Sequence, residues 1–200
     1  MARQRTILVL AVLMITASVA SADVILELQP SSQSVTPGSP IMVDINIAGL
    51  GDPPSLGTFD INVAFDSTIL SFDNFAFGDP VLGDQLDPTG GGNTIGFANS
   101  GTGTVELFEV SLDSDTTLNT LQPASFTLGV LTFDTIGVGT SPLTLSINVL
   151  GDADGNSLSA SLRNGSVDVG AATAVPEPSS VLLLATGLLA ISKRRRLQLP

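Results

Sequence analysis

The residues best suited to chemistry in this chain are acids. Asp152-Ala153-Asp154-Gly155-Asn156 sets side-chain oxygens at alternate positions, the spacing with which a calcium-binding loop begins. Asp152, Asp154 and Asn156 would be the ligands of Ca2+, the one cofactor the sequence brings into view. The pattern then breaks. A calcium loop of about 12 residues turns on Gly at its sixth position and closes on a bidentate acid at its last. Here those positions hold Ser157 and Arg163. The same five residues suit a tight turn, in which Asp and Asn bond to nearby backbone. Two readings stand: a turn, or a weak calcium site of another geometry. Asp79, Asp84 and Asp87 form a sparser group of the same kind in a Gly- and Pro-rich stretch.

Enzymatic chemistry has little to work with. The chain has no His and no Cys, so Ser-His-Asp, Cys-His and His/Cys zinc sites are excluded. A Ser-Lys site fails as well, because no Lys lies between residues 23 and 174. A carboxylate pair can hydrolyse a glycosidic bond, but eighteen acids in this region make some pair inevitable. A non-catalytic protein is expected. Trp and Tyr, the aromatic platforms with a polar edge, are absent, and the nine Phe fall mostly in phase with core positions. Phe75 and Phe77, at the start of a long loop, are the ones placed for exposure.

Charge narrows the partners. Eighteen acids against the single Arg163 leave residues 23–174 near −17. Nucleic acid and anionic membrane surfaces are repelled, so no nucleic-acid partner is expected. Divalent cations and cationic partners are not repelled, and an exported acidic surface stays dispersed.

The elements that must carry these residues are strands. Ile41, Val43, Ile45 and Ile47 alternate with polar or exposed-type residues, as do Phe59, Ile61, Val63 and Phe65, and Leu143, Leu145, Ile147 and Val149. Such a period of two marks half-buried strands with one apolar face. Phe126, Leu128 and Val130 alternate until Leu131 and Phe133 take the opposite phase, which predicts a β-bulge beside Gly129. Turn residues separate the runs: Thr36-Pro37-Gly38, Gly51-Asp52-Pro53-Pro54, Asp154-Gly155-Asn156 and Asn164-Gly165. No amphipathic helix is expected; Asp66 to Leu70 suits one helical turn at most. Phe77 to Asn93 reads as an extended loop. The fold class is all-β, an antiparallel β-sandwich in one domain of about 150 residues.

Both ends fall outside that domain. Arg3 and Arg5, the apolar run Ile7–Ile15 and the small-residue site Ala20-Ser21-Ala22 make residues 1–22 a signal peptide, cut by signal peptidase after Ala22. At the other end, Pro176-Glu177-Pro178 precedes an apolar run, 181–192, and the basic cluster Lys193-Arg194-Arg195-Arg196. A helix of about 12 residues spans roughly 18 Å against a hydrocarbon core of about 30 Å, a marginal transmembrane segment. The basic cluster would act as a cytoplasmic stop, and the two prolines bar the helix from extending backwards.

Those tail residues carry a specific resemblance. Residues 175–196 resemble the PEP-CTERM sorting signal of Gram-negative bacteria: a Pro-Glu-Pro tripeptide, a short hydrophobic stretch, then Arg-rich residues. The resemblance implies that an exosortase, a membrane-embedded protease, recognises Pro176, Glu177 and Pro178 and removes the tail. The chain would be held briefly in the inner membrane and then reach the cell surface or exopolysaccharide matrix. A second resemblance covers most of 23–169. Leu56-Gly57-Thr58-Phe59-Asp60 followed by Val63-Ala64-Phe65-Asp66-Ser67-Thr68-Ile69-Leu70, the strand Phe126 to Phe133, and Gly151 to Asn156 followed by Gly165-Ser166-Val167 are similar to cohesin-like domains, in the same order. That resemblance implies a jelly-roll sandwich of about nine strands related to carbohydrate-binding modules. The implied function is adhesion or interaction with a surface protein or extracellular polysaccharide. Phe65-Asp66 stands where those domains usually have Tyr-Asp.

Overall fold

Alternation of apolar and polar side chains does produce strands, and their register closes two sheets over one core. The computed structural model describes residues 23–51 and 53–170. The signal-peptide residues with Ala20 and Ala22, the tripeptide 176–178, the 181–192 segment and the cluster 193–196 lie outside the described residues. Within them, no helix is long and apolar enough to cross a membrane.

In chain order the elements are β1 (Val24–Gln29), β2 (Ser32–Val35), β3 (Pro40–Ala48), β4 (Leu56–Ala64), β5 (Leu70–Phe77), β6 (Thr94–Gly101), β7 (Thr104–Ser111), α1 (Asp115–Leu121), β8 (Ser125–Thr135), β9 (Gly139–Asp152), β10 (Ala160–Arg163) and β11 (Gly165–Val169). One sheet runs β10-β1-β3-β8-β5 and the other β2-β11-β9-β4-β7-β6. The described residues therefore carry eleven strands. The excess over nine arises because the first and last strands each divide between the two sheets. The chain leaves β1 at Pro30 and Ser31 and enters β2 in the opposite sheet; β10 hands over to β11 at Asn164. Asn164-Gly165 is thus a sheet crossing rather than a hairpin turn, and the Asn164 side chain accepts a hydrogen bond from the Leu145 N–H at 2.9 Å.

The inward positions of both sheets meet in a single cluster that includes Leu26, Ile45, Ile47, Phe59, Ile61, Leu107 and Phe133, all at most 0 % exposed. Phe65 and Phe72 pack edge-on against Phe133, at centroid distances of 5.1 and 6.1 Å. The expected bulge is present. Ile45 pairs with Gly129 and Asn46 with Thr127, so Leu128 is the extra residue. Gly129 is needed there because a Cβ would sit 2.2 Å from the Phe75 ring.

Two expectations need correction. The 115–121 segment is a helix of seven residues, where no helix was expected. Ser114 caps it, its hydroxyl oxygen accepting the Thr117 N–H at 3.1 Å, and only Leu118 is buried. So short a helix presents one apolar contact and shows no period. Phe77 to Asn93 is a folded plug rather than an extended loop. Leu86 is fully buried in the core, and Ser111 donates to the Leu86 carbonyl. Gln122, just past α1, donates to the carbonyls of both Gln85 and Leu56 at 3.0 Å.

Candidate functional site

Strand pairing puts side chains of neighbouring strands on a common face, so the outer surface of the six-stranded sheet can be read from its registers. Val149, Asp60, Phe108 and Phe97 form one row across β9, β4, β7 and β6. Thr58, Val110 and Ile95 form the next, and Ser146, Asn62, Glu106 and Asn99 the one on the other side. Phe97 stacks on Phe108 at 5.1 Å with an interplanar angle of 23°. Ile95 is 56 % exposed, Val149 48 % and Phe97 45 %. The face thus joins an apolar strip to a polar margin, where Asn148 donates to Asp60 at 3.0 Å and Glu106 lies 3.5 Å from the Asn99 amide. Among the described residues no element covers it.

The aromatic residues expected at the surface are elsewhere. Phe75 is buried and Phe77 half-buried, locked edge-to-face at 4.8 Å and 86°. Phe97 is the aromatic that sequence reasoning missed. Its strand, Thr94 to Gly101, has Gly, Ala, Asn and Ser around one Ile and one Phe, too weak an alternation to assign a face.

The structure splits the acid groups read from the sequence. Asp152 Oδ1 accepts the backbone N–H groups of Asp154 and Asn156 at 3.0 and 2.7 Å, and its Oδ2 accepts the Asn156 amide at 3.1 Å. Gly155 takes φ +84°, which an L-residue with a side chain rarely adopts. The turn by itself accounts for every polar contact of Asp152, and Asp154 is exposed. Asp79 and Asp87 likewise bond to their own backbone. Asp79 accepts from Val81 and Leu82, which holds its carboxyl below the usual range, and Asp87 accepts from Gly91 and Gly92. On the outer face of the five-stranded sheet, Asp44 is pushed upward by partial burial and then by Asp79. Among the described residues, no three of His, Cys, Asp and Glu converge into a metal cluster.

Asp84 behaves differently. It faces Glu109, an acid that points inward from β7 between Phe59 and Gly96 in the register. Glu109 is 2 % exposed, and its Oε2 has no hydrogen-bond partner. Burial first, then the Asp84 charge, pushes the Glu109 carboxyl up to about 9. A surface depression of about 290 Å³ between Phe65, Leu70, Phe72, Thr102 and Ile136 has no titratable side chain in its lining.

Comparison with known proteins bears on both halves of the chain. Residues 174–196 match the PEP-CTERM protein-sorting motif. That motif indicates export with sorting to the surface or exterior, and it implies processing by an exosortase. No curated protein matches the chain. The sandwich is similar to solved cohesin domains. The sixth cohesin of Acetivibrio cellulolyticus scaffoldin B, solved with a Cel5 dockerin variant, aligns at TM-score 0.57 and 21 % identity over 74 % of this chain and 99 % of that one. The seventh ScaB type I cohesin of Pseudobacteroides cellulosolvens aligns at 0.58 and 16 %, over 77 % and 96 %. A non-cellulosomal cohesin from the archaeon Archaeoglobus fulgidus gives 0.55 and 16 %, over 80 % and 96 %. At these identities the likeness is one of fold.

Proposed function

We propose that this chain is an exported, non-catalytic adhesion and interaction module that docks a protein partner on the outer face of its six-stranded sheet. The observation that carries the reading is the uncovered strip of Ile95, Phe97, Phe108 and Val149 bordered by Asp60, Asn148 and Glu106. An apolar centre with a polar rim is the usual anatomy of a protein–protein surface. The cohesin solved with a dockerin supplies a precedent for a sandwich of this fold binding another protein.

A photo-crosslinking residue placed at Phe97 in the full chain, expressed in the producing bacterium, tests it. A discrete adduct with one protein is expected from position 97 and none from position 42 on the opposite sheet. Equal labelling from both positions, or none from either, rejects the face. A glycan array probed with and without calcium tests the polysaccharide alternative; binding that Phe97→Asp removes would move the assignment to a carbohydrate-binding module.

Delivery rests on the two ends of the chain. Signal peptidase would cut after Ala22, the 181–192 segment would hold the chain in the inner membrane with Lys193 to Arg196 inside, and an exosortase would act at Pro176-Glu177-Pro178. Replacing that tripeptide by alanines should leave an unprocessed, membrane-retained chain. Normal processing of the variant would sink the assignment.

A further inference from the structure

The carboxyls of Glu109 and Asp84 meet where no Lys or Arg of the described residues is available to either. Glu109 is held on a strand, and Asp84 on a plug that Ser111 and Gln122 tie down, so their approach is built into the fold. Asp84 Oδ1 is taken by the Leu86 N–H at 2.8 Å, while its Oδ2 accepts from the Thr94 hydroxyl at 3.5 Å. Thr94 also lies within reach of Glu109, and Asp87 adds negative potential from the same plug. The second orphaned acid oxygen among the described residues, Asp113 Oδ2, lies just past the end of β7. Arg163 is the one Lys or Arg between residues 23 and 170, and it pairs with Glu27 at 3.2 Å on the other sheet. Two facing carboxyls, one of them buried and unpartnered, do not both stay charged: either a proton or a bound cation sits between them.

We propose that Asp84 and Glu109, with the Thr94 hydroxyl, form a binding site for a hard divalent cation, Ca2+, that clamps the 78–93 plug onto β7. Every donor is oxygen, which selects calcium or magnesium over the metals that seek nitrogen and sulfur. Calcium tolerates irregular geometry and completes its shell with water, which the half-exposed Asp84 side admits. Two carboxylates give less than a full cage, so the affinity belongs with the millimolar sites of extracellular modules. The site is separate from the Asp152 turn and from the docking face.

The test is thermal unfolding of the full chain in detergent, stripped with chelator and then titrated with CaCl2 against NaCl of matched ionic strength. For a Kd of about 1 mM, about 10 mM calcium should raise Tm by about 4 °C. Glu109→Gln and Asp84→Asn should each abolish the rise, and Asp152→Asn should keep it. Glu109→Gln removes a buried acid and keeps its shape, and its unchanged far-UV circular dichroism would certify folding. No rise in the parent chain overturns the proposal and leaves a proton as the neutralising cation. An equal rise in Glu109→Gln and Asp84→Asn overturns it in favour of general screening. Loss of the rise in Asp152→Asn alone overturns it in favour of the turn.

Discussion

One sheet keeps to the simple sandwich pattern and the other departs from it. The five-stranded sheet is apolar inside, with Leu26, Leu28, Val43, Ile45 and Phe133 fully or almost fully buried. Its outer side is cross-linked by polar contacts: Thr127 donates to Asn46 at 2.7 Å and Arg163 to Glu27 at 3.2 Å. The six-stranded sheet reverses both preferences. It turns an acid inward, Glu109, and an aromatic pair outward, Phe97 on Phe108. Each departure costs stability, since a buried carboxyl lacks a donor and exposed apolar area stays in water. Departures from the folding pattern concentrate where a protein does something else. The five-stranded sheet is the scaffold, and the six-stranded sheet carries the features that folding alone does not call for.

Four measurements can break that contrast, the largest effect first. Glu109→Gln should stabilise the chelator-treated chain increasingly as pH rises. The folded carboxyl titrates at about 9, above its ordinary value of 4.5, so between those limits the unfolded chain has lost a proton that the folded chain keeps. Stability then falls as pH rises through that window, by at most about 1.4 kcal/mol per pH unit, and levels off above it. The glutamine variant has no such group, so denaturant midpoints of the two should diverge from pH 5 to 9. Parallel profiles would mean that the inward acid costs nothing.

Phe97→Asp should weaken partner binding by about 2 kcal/mol, roughly 30-fold, with folding intact. Met42→Asp, at an exposed position on the five-stranded sheet, should leave binding unchanged. Similar losses from both would erase the distinction between the faces. Asn46→Ala should cost about 1 kcal/mol in urea unfolding by removing the acceptor for Thr127, without touching binding. Asp152→Ala is expected to have the smallest effect, about 0.5–1 kcal/mol, because its turn is exposed and keeps Gly155. A much larger loss would show the turn to be more than a turn.

The period-two runs from Ile41 to Ile47 and from Phe59 to Val63 were legible because each places a whole face in the core, and a one-residue slip would expose all of it. The bulge at Leu128 was legible for the same reason, as a change of phase. Helix α1 was not, because a single buried Leu118 leaves no period to read, although Ser114 followed by Asp115 is an N-cap signal. The plug was hidden because Gly and Pro announce turns but say nothing of whether Leu86 between them is buried.

What the sequence by itself determined is local and compositional: strands from alternation, the sorting motif from the order of blocks in residues 174–196, and the lack of His and Cys chemistry from counting. It also singled out Asp152, Asp154 and Asn156, whose spacing is local, and there the turn hydrogen bonds are local too. Tertiary structure alone decided which acids meet. Asp84 and Glu109 are far apart in the chain, and only the plug folding over β7 brings their charges together. It alone also decided that Phe97 faces solvent while Phe75 does not, because burial depends on what lies across the sheet. Sequence spacing carries no information about either.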